Sequence, residues 1–144
     1  MTVTQLSIFL ENKPGHMAQV CKTLSDNGIN LLNMMIADTK DFGIVRIMVK
    51  EWQKAKELLE KNGFMVQTVE VMLIEVDHAP GGLGKMLAFF SEKELGIDYM
   101  YAFPQSMNNA DKSVIVIKFH EPNVALEVMK DFKDIVVCAE DFYG

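Results

Sequence analysis

Two short stretches of the chain carry residue types and spacing that could do chemistry. Asn12-Lys13-Pro14-Gly15-His16-Met17 and His78-Ala79-Pro80-Gly81-Gly82-Leu83 each set a proline-glycine step directly before a run with helical periodicity. Proline holds φ near the helical value and has no N–H to leave unsatisfied in a first turn, while glycine beside it lets a ligand approach the backbone. On that reading the amides of Gly15, His16 and Met17 stand unpaired at the positive end of a helix dipole, where they can hold a carboxylate. The expected chemistry is binding, with no catalytic residue, because no nucleophile-base pair, paired carboxylates, metal cluster or phosphate loop stands out in the 144 residues. His16 and His78 have no second His or Cys at ligand spacing, so no metal or cofactor is expected there. They read as loop residues able to hydrogen-bond a ligand.

The elements that must position these loops occur twice. After Pro14, apolar residues fall at Met17, Val20, Cys21 and Leu24; after Pro80 they fall at the same distances, at Leu83, Met86, Leu87 and Phe90. That is the spacing of one buried helix face. Gly28-Ile29-Asn30 and Gly96-Ile97-Asp98 follow, two residues out of register with one another, with glycine suited to the left-handed position past a helix end. Residues 44–49 answer to 113–118 as β-branched strands. Ala55, Leu58 and Leu59 answer to Ala125, Val128, Met129 and Phe132 as second helices, the latter opened by Pro122.

Adding strands at 5–10 and 72–77, segments after Gly28 and Gly96, and closing strands at 64–71 and 135–139 makes each half β-α-β-β-α-β. The fold expected is α+β: two ferredoxin-like domains, 1–71 and 72–144, each an antiparallel sheet with both helices on one face. Units this small bury little alone, so the halves are expected to pack side by side and join their sheet edges.

Bulk properties narrow the partners. The net charge is −6, with thirteen lysines and a single arginine, Arg46, which argues against a nucleic-acid surface. No apolar run approaches the length of a membrane span and the N-terminus lacks a secretory pattern, so a cytoplasmic protein is expected. Cys21 and Cys138 show no C-x-x-C spacing and are expected to be buried thiols.

The first loop and its surroundings, Ile8-Phe9-Leu10-Glu11-Asn12-Lys13-Pro14-Gly15 and Leu24-Ser25-Asp26-Asn27-Gly28-Ile29-Asn30, closely resemble the ACT domain, a small-molecule-sensing module of amino-acid metabolism. The second half is similar but drifted, with His78 in place of Asn12 and Asp98 in place of Asn30. The resemblance covers both halves and implies a stand-alone tandem ACT protein that binds a free amino acid where two domains meet. Carried over to this chain, one site joins Asn12, Lys13, Pro14, Gly15, His16 and Met17 to Asp98, Tyr99 and Met100. The other joins His78, Pro80, Gly81, Gly82 and Leu83 to Asn30, Leu31 and Leu32. Asp98 is the expected partner of the ammonium group. Leu10 stands where family members often carry a histidine, which speaks against a serine-like ligand, and Leu31, Leu32 and Met100 favour an apolar or aromatic body. The implied protein is a homo-oligomer, a dimer, that regulates an enzyme or other protein. The alternative is an interaction module with no ligand.

Overall fold

The computed structural model describes residues 1–11, 13–37, 41–103 and 111–143. They form β1 (Val3–Glu11), α1 (His16–Asp26), β2 (Asn33–Ala37), β3 (Phe42–Met48), α2 (Trp52–Lys61) and β4 (Met65–Asp77). There follow α3 (Gly82–Glu92), β5 (Ile97–Phe103), β6 (Lys112–Phe119), α4 (Pro122–Met129), a 3-10 stretch (Lys130–Ile135), β7 (Val136–Val137) and α5 (Ala139–Tyr143). The chain divides into two compact units, one of Thr4–Val69 and one of Met1–Val3 with Glu70–Gly144.

Each unit is a βαββαβ motif. In the first, the strand order is β2-β3-β1-β4, with β3 antiparallel to both β1 and β2. In the second it is β7-β4-β6-β5, again through antiparallel pairs. Alternation along the strands places the cores. Leu6, Ile8 and Leu10 of β1 pack with Val45 and Ile47 of β3 against Val20 and Leu24 of α1 and Ala55 and Leu59 of α2. Residues of one strand parity meet both helices, so both helices cover one face of the sheet. Met72, Ile74 and Val76 do the same in the second unit, with Met86 and Phe90 of α3 and Ala125 and Met129 of α4. Trp52, the first residue of α2, anchors that helix on the first core.

Five expectations are corrected. The strands read at 64–71 and 72–77 are one strand, β4, whose first residues serve the first unit and whose last serve the second. The run is rich in β-branched residues, and no glycine or proline interrupts it. The closing strand at 135–139 shrinks to Val136–Val137; α5 follows, and its Phe142 is buried edge-on against Phe103, with ring centroids 5.1 Å apart. Burial there also pushes the Tyr143 phenol up to about 12. Phe132 lies beyond α4, in the 3-10 stretch, yet still packs on the second core.

Cys21 and Cys138 are exposed, not buried. On α1 the buried face runs through Val20 and Leu24, and Cys21 falls on its flank. Leu87, at the matching distance from Pro80, is likewise 37% exposed.

The helix ends supply the fifth correction. Gly28, at φ 70°, is the left-handed residue after α1, with Ile29 N–H donating to Leu24 O and Gly28 N–H to Ser25 O. After α3 the same pair of bonds runs from Leu95 to Phe90 and from Glu94 to Ser91, so the left-handed residue is Glu94, at φ 57°, and not Gly96. The two-residue offset seen in the sequence is therefore this cap displaced from its glycine. A left-handed L-residue costs about 1–2 kcal/mol, which glycine avoids. Glu94→Gly is expected to raise the urea midpoint with an unchanged m-value, corresponding to about 1 kcal/mol. An unchanged or lower midpoint would show that the cap is unstrained.

Candidate ligand site

The two proline-glycine steps are the same turn. His16 N–H donates to Lys13 O at 3.3 Å and Gly82 N–H to Ala79 O at 3.1 Å. Gly15 has φ 92° and ψ −18°, and Gly81 has φ 86° and ψ −6°. A closed four-residue turn with proline second and a left-handed glycine third is a type II β-turn. Pro14 therefore belongs to the turn, not to the first turn of α1, and the His16 amide expected to face a ligand is spent on the turn itself. Gly15 caps the helix, its carbonyl accepting from Gln19 N–H at 3.0 Å, so the amides directed out of the helix start begin at Met17.

Beside the first turn, within the first unit, lies a cleft of about 660 Å³. Glu11 ends β1 at its rim, with His16 and Gln19 projecting from α1. Its apolar walls are Phe42, directly across from Glu11 in the β1–β3 register, and Phe64 and Met65 at the start of β4. Glu11 pairs with Lys13 at 2.6 Å on the surface, and Lys13 holds its carboxyl below the usual carboxylate range. Phe42, Phe64 and Met65 escaped the sequence reading because they are far from the loop in sequence. Only the antiparallel register brings Phe42 back to Glu11.

The second unit gathers its own loop differently. His78 Nδ1 and Ser113 Oγ are hydrogen-bonded at 3.0 Å, and His78 N–H donates to Asp111 O at 2.8 Å. His78 and Ser113 border, with Asp77, Pro80, Leu83 and Phe103, a cavity of about 470 Å³. Gly82 is required by sterics: a Cβ there would fall 2.1 Å from Asp77 O.

The remaining expected site residues are placed as follows. Asn12 lies outside the described residues. Asn30 is exposed, and Leu31 and Leu32 are half-buried ahead of β2, with Leu31 packed on the first core. In β5, Met100 packs on the second core, whereas Tyr99, Tyr101 and Phe103 share the opposite parity.

Asp98 sits at a register shift in β5 and is engaged by Lys118 of β6 and by His120 just beyond that strand. His120 Nδ1 lies 2.8 Å from one oxygen and Lys118 Nζ 3.3 Å from the other. The His120 contact, with help from Lys118, holds the Asp98 carboxyl below its ordinary value. A depressed carboxylate pKa favours the folded state above the ordinary carboxylate range, and that contribution is lost as pH falls through the lowered folded value. In a carbon-detected NMR titration, His120→Ala is expected to move the Asp98 midpoint upwards towards its ordinary value. No movement would show that His120 is not the cause.

These features define a class: paired ferredoxin-like units, each introducing its first helix through a type II proline-glycine turn beside a strand-end carboxylate. The family model of the ACT domain pair matches residues 1–142, and the chain belongs to that family. The crystal structure of protein BT0572 from Bacteroides thetaiotaomicron is 38% identical, with a TM-score of 0.89 over 99% of this chain and 96% of that one. The ligand-free regulatory subunit of aspartate kinase from Thermus thermophilus shares the fold at 16% identity, with a TM-score of 0.59 over 79% of this chain and 81% of that one. Comparison with the curated proteins finds no match.

Proposed function

We propose that the chain is a non-catalytic sensor that binds a free amino acid and regulates amino-acid metabolism through a partner, acting in the cytoplasm as a homodimer. The observation that carries this reading is the first turn: a left-handed glycine aims the start of α1 beside a cleft that holds both a carboxylate, Glu11, and an imidazole, His16. A zwitterion needs donors for its carboxylate and an acceptor for its ammonium, and the helix start with Glu11 supplies both. Membership of the ACT domain pair family supports the sensing role, and the aspartate kinase regulatory subunit offers a precedent for acting through an enzyme.

A thermal-shift panel of the protein amino acids tests the reading. A ligand at a hundred times its dissociation constant adds about 2.7 kcal/mol to stability, a clear rise in melting temperature. A flat response across the panel, repeated by calorimetry, would overturn it.

A second reading, an oligomerisation module without a ligand, is favoured by Leu83 and Leu87, which lie one turn apart on α3 and are 41% and 37% exposed. It requires the flat panel, together with dissociation of the oligomer by Leu83→Ser in analytical ultracentrifugation.

A further inference from the structure

The two units carry a cleft at equivalent positions, and that of the first unit is much the larger. Glu11 and Asp77 each stand three residues before the proline of their turn, and each ends a strand. The β1–β3 register sets Glu11 opposite Phe42, and the β4–β6 register sets Asp77 opposite Lys112. Counting from the prolines, His16 corresponds to Gly82, Gln19 to Lys85 and Thr23 to Phe89. The cleft bounded by Asp77, Gly82, Lys85, Phe89 and Lys112 measures about 240 Å³, against about 660 Å³ in the first unit.

Three exchanges account for the difference. Lys112 forms an ion pair with Asp77, so the acid of the second unit is occupied from the neighbouring strand. Phe89 brings a ring to the second cleft, where it stacks edge-on with Phe132 at 4.6 Å; the first unit has Thr23 at that place. Gly82 lets the start of α3 approach the carbonyl of Asp77 so closely that no side chain fits.

In the first unit each exchange runs the other way. Phe42 cannot pair with Glu11, whose cation is instead Lys13, an exposed side chain in a surface pair that a ligand can displace. Phe42 and Met65, each 65% exposed, are the most exposed large apolar side chains among the described residues, and both line this cleft. Apolar walls left in water around a carboxylate describe a pocket lacking its contents.

We propose that the first-unit cleft binds a small ligand carrying an ammonium group on an aromatic body, the ammonium on Glu11 and the ring against Phe42, Phe64 and Met65. This deepens the amino-acid reading and rests on it for the ligand's carboxylate, which His16 at the start of α1 would receive. The ammonium and the ring are recognised whether they come from an aromatic amino acid or from an aromatic amine.

Isothermal titration of the full chain with L-phenylalanine, phenethylamine, 3-phenylpropionate and glycine tests the proposal. L-phenylalanine and phenethylamine are expected to bind, whereas 3-phenylpropionate, without an ammonium, and glycine, without a ring, are not. Tighter binding of L-phenylalanine supports the seat with a carboxylate contact at His16; equal binding supports it with the amine alone. Glu11→Gln is expected to weaken both ligands at least tenfold. Phe42→Lys, which installs the residue of the second unit, is expected to abolish binding while circular dichroism and melting remain those of a folded protein. Phe42→Leu, which keeps an apolar wall, retains weaker binding. The proposal is overturned if neither ammonium probe binds at millimolar concentration, or if affinities are unchanged in both Glu11→Gln and Phe42→Lys. In the second case a responding amino-acid panel still upholds the sensor and moves its seat elsewhere. A flat panel with phenethylamine binding that responds to both variants upholds the cleft and ends the sensor reading.

Discussion

The left-handed glycine between strand and helix is the constraint from which the rest follows. With φ at 92° and 86°, Gly15 and Gly81 hold a conformation that an L-residue enters only under strain. Proline before each fixes the other half of the turn. The chain thus leaves the strand through the same type of turn in both units, although the start of α3 comes closer to its strand end than that of α1. That shared turn fixes the register of everything nearby: the acid three residues before the proline, the side chains on the first helical turns, and the strand residue opposite the acid.

Most of the fold was legible in the sequence because its signals are local and repeated. Helical spacing after each proline, β-branched runs and glycine punctuation all act within a few residues, and the duplication allowed each half to check the other. The misreadings fall where a local signal met a non-local demand. A strand boundary was expected between 71 and 72, but a β-branched run with no glycine or proline simply continues as β4. Gly96 offered the usual left-handed residue, yet the helix ends where Phe90 and Leu95 close on the core, and Glu94 accepts the strained angle. Cys21 is compatible with burial by type, but its angular position on α1 places it on the flank.

The candidate site was only half legible, for the same reason. The turn and Glu11 are contiguous, so they could be read together. Phe42 and Met65 reach the cleft through strand pairing and through the return of the chain after α2, and no spacing rule in one dimension reports that. The role of the turn also changed. A proline in the first turn of a helix would leave the His16 amide free for an anion, whereas a type II turn consumes it and shifts the available donors inward. Asp98 adds a second non-local feature: Lys118 of β6 and His120 just after that strand lie against it, which no spacing rule reports.

Duplication within one chain offers a comparison in which turn type and the residue pairing opposite the strand-end acid are shared while side chains vary. Under that control, exchanging a phenylalanine for a lysine opposite the strand-end acid has two coupled effects. It neutralises the carboxylate from within the sheet, and it replaces an apolar wall with a hydrated one. An ion pair at a strand end adds little stability on a wet surface, so Lys112 does not make the second unit markedly firmer than the first. Its larger consequence is to remove the combination of a bare ring and an acid paired only with an exposed loop lysine. The first unit keeps that combination while leaving Phe42 and Met65 largely in water, where each gives up the roughly 25 cal/mol per Å² that burial of its apolar surface would return. A flat apolar ligand bearing one positive charge recovers that surface energy and satisfies Glu11 together, which neither a purely polar nor a purely apolar ligand can do. The asymmetry of the two copies, more than either turn alone, therefore sets the chemistry of the site.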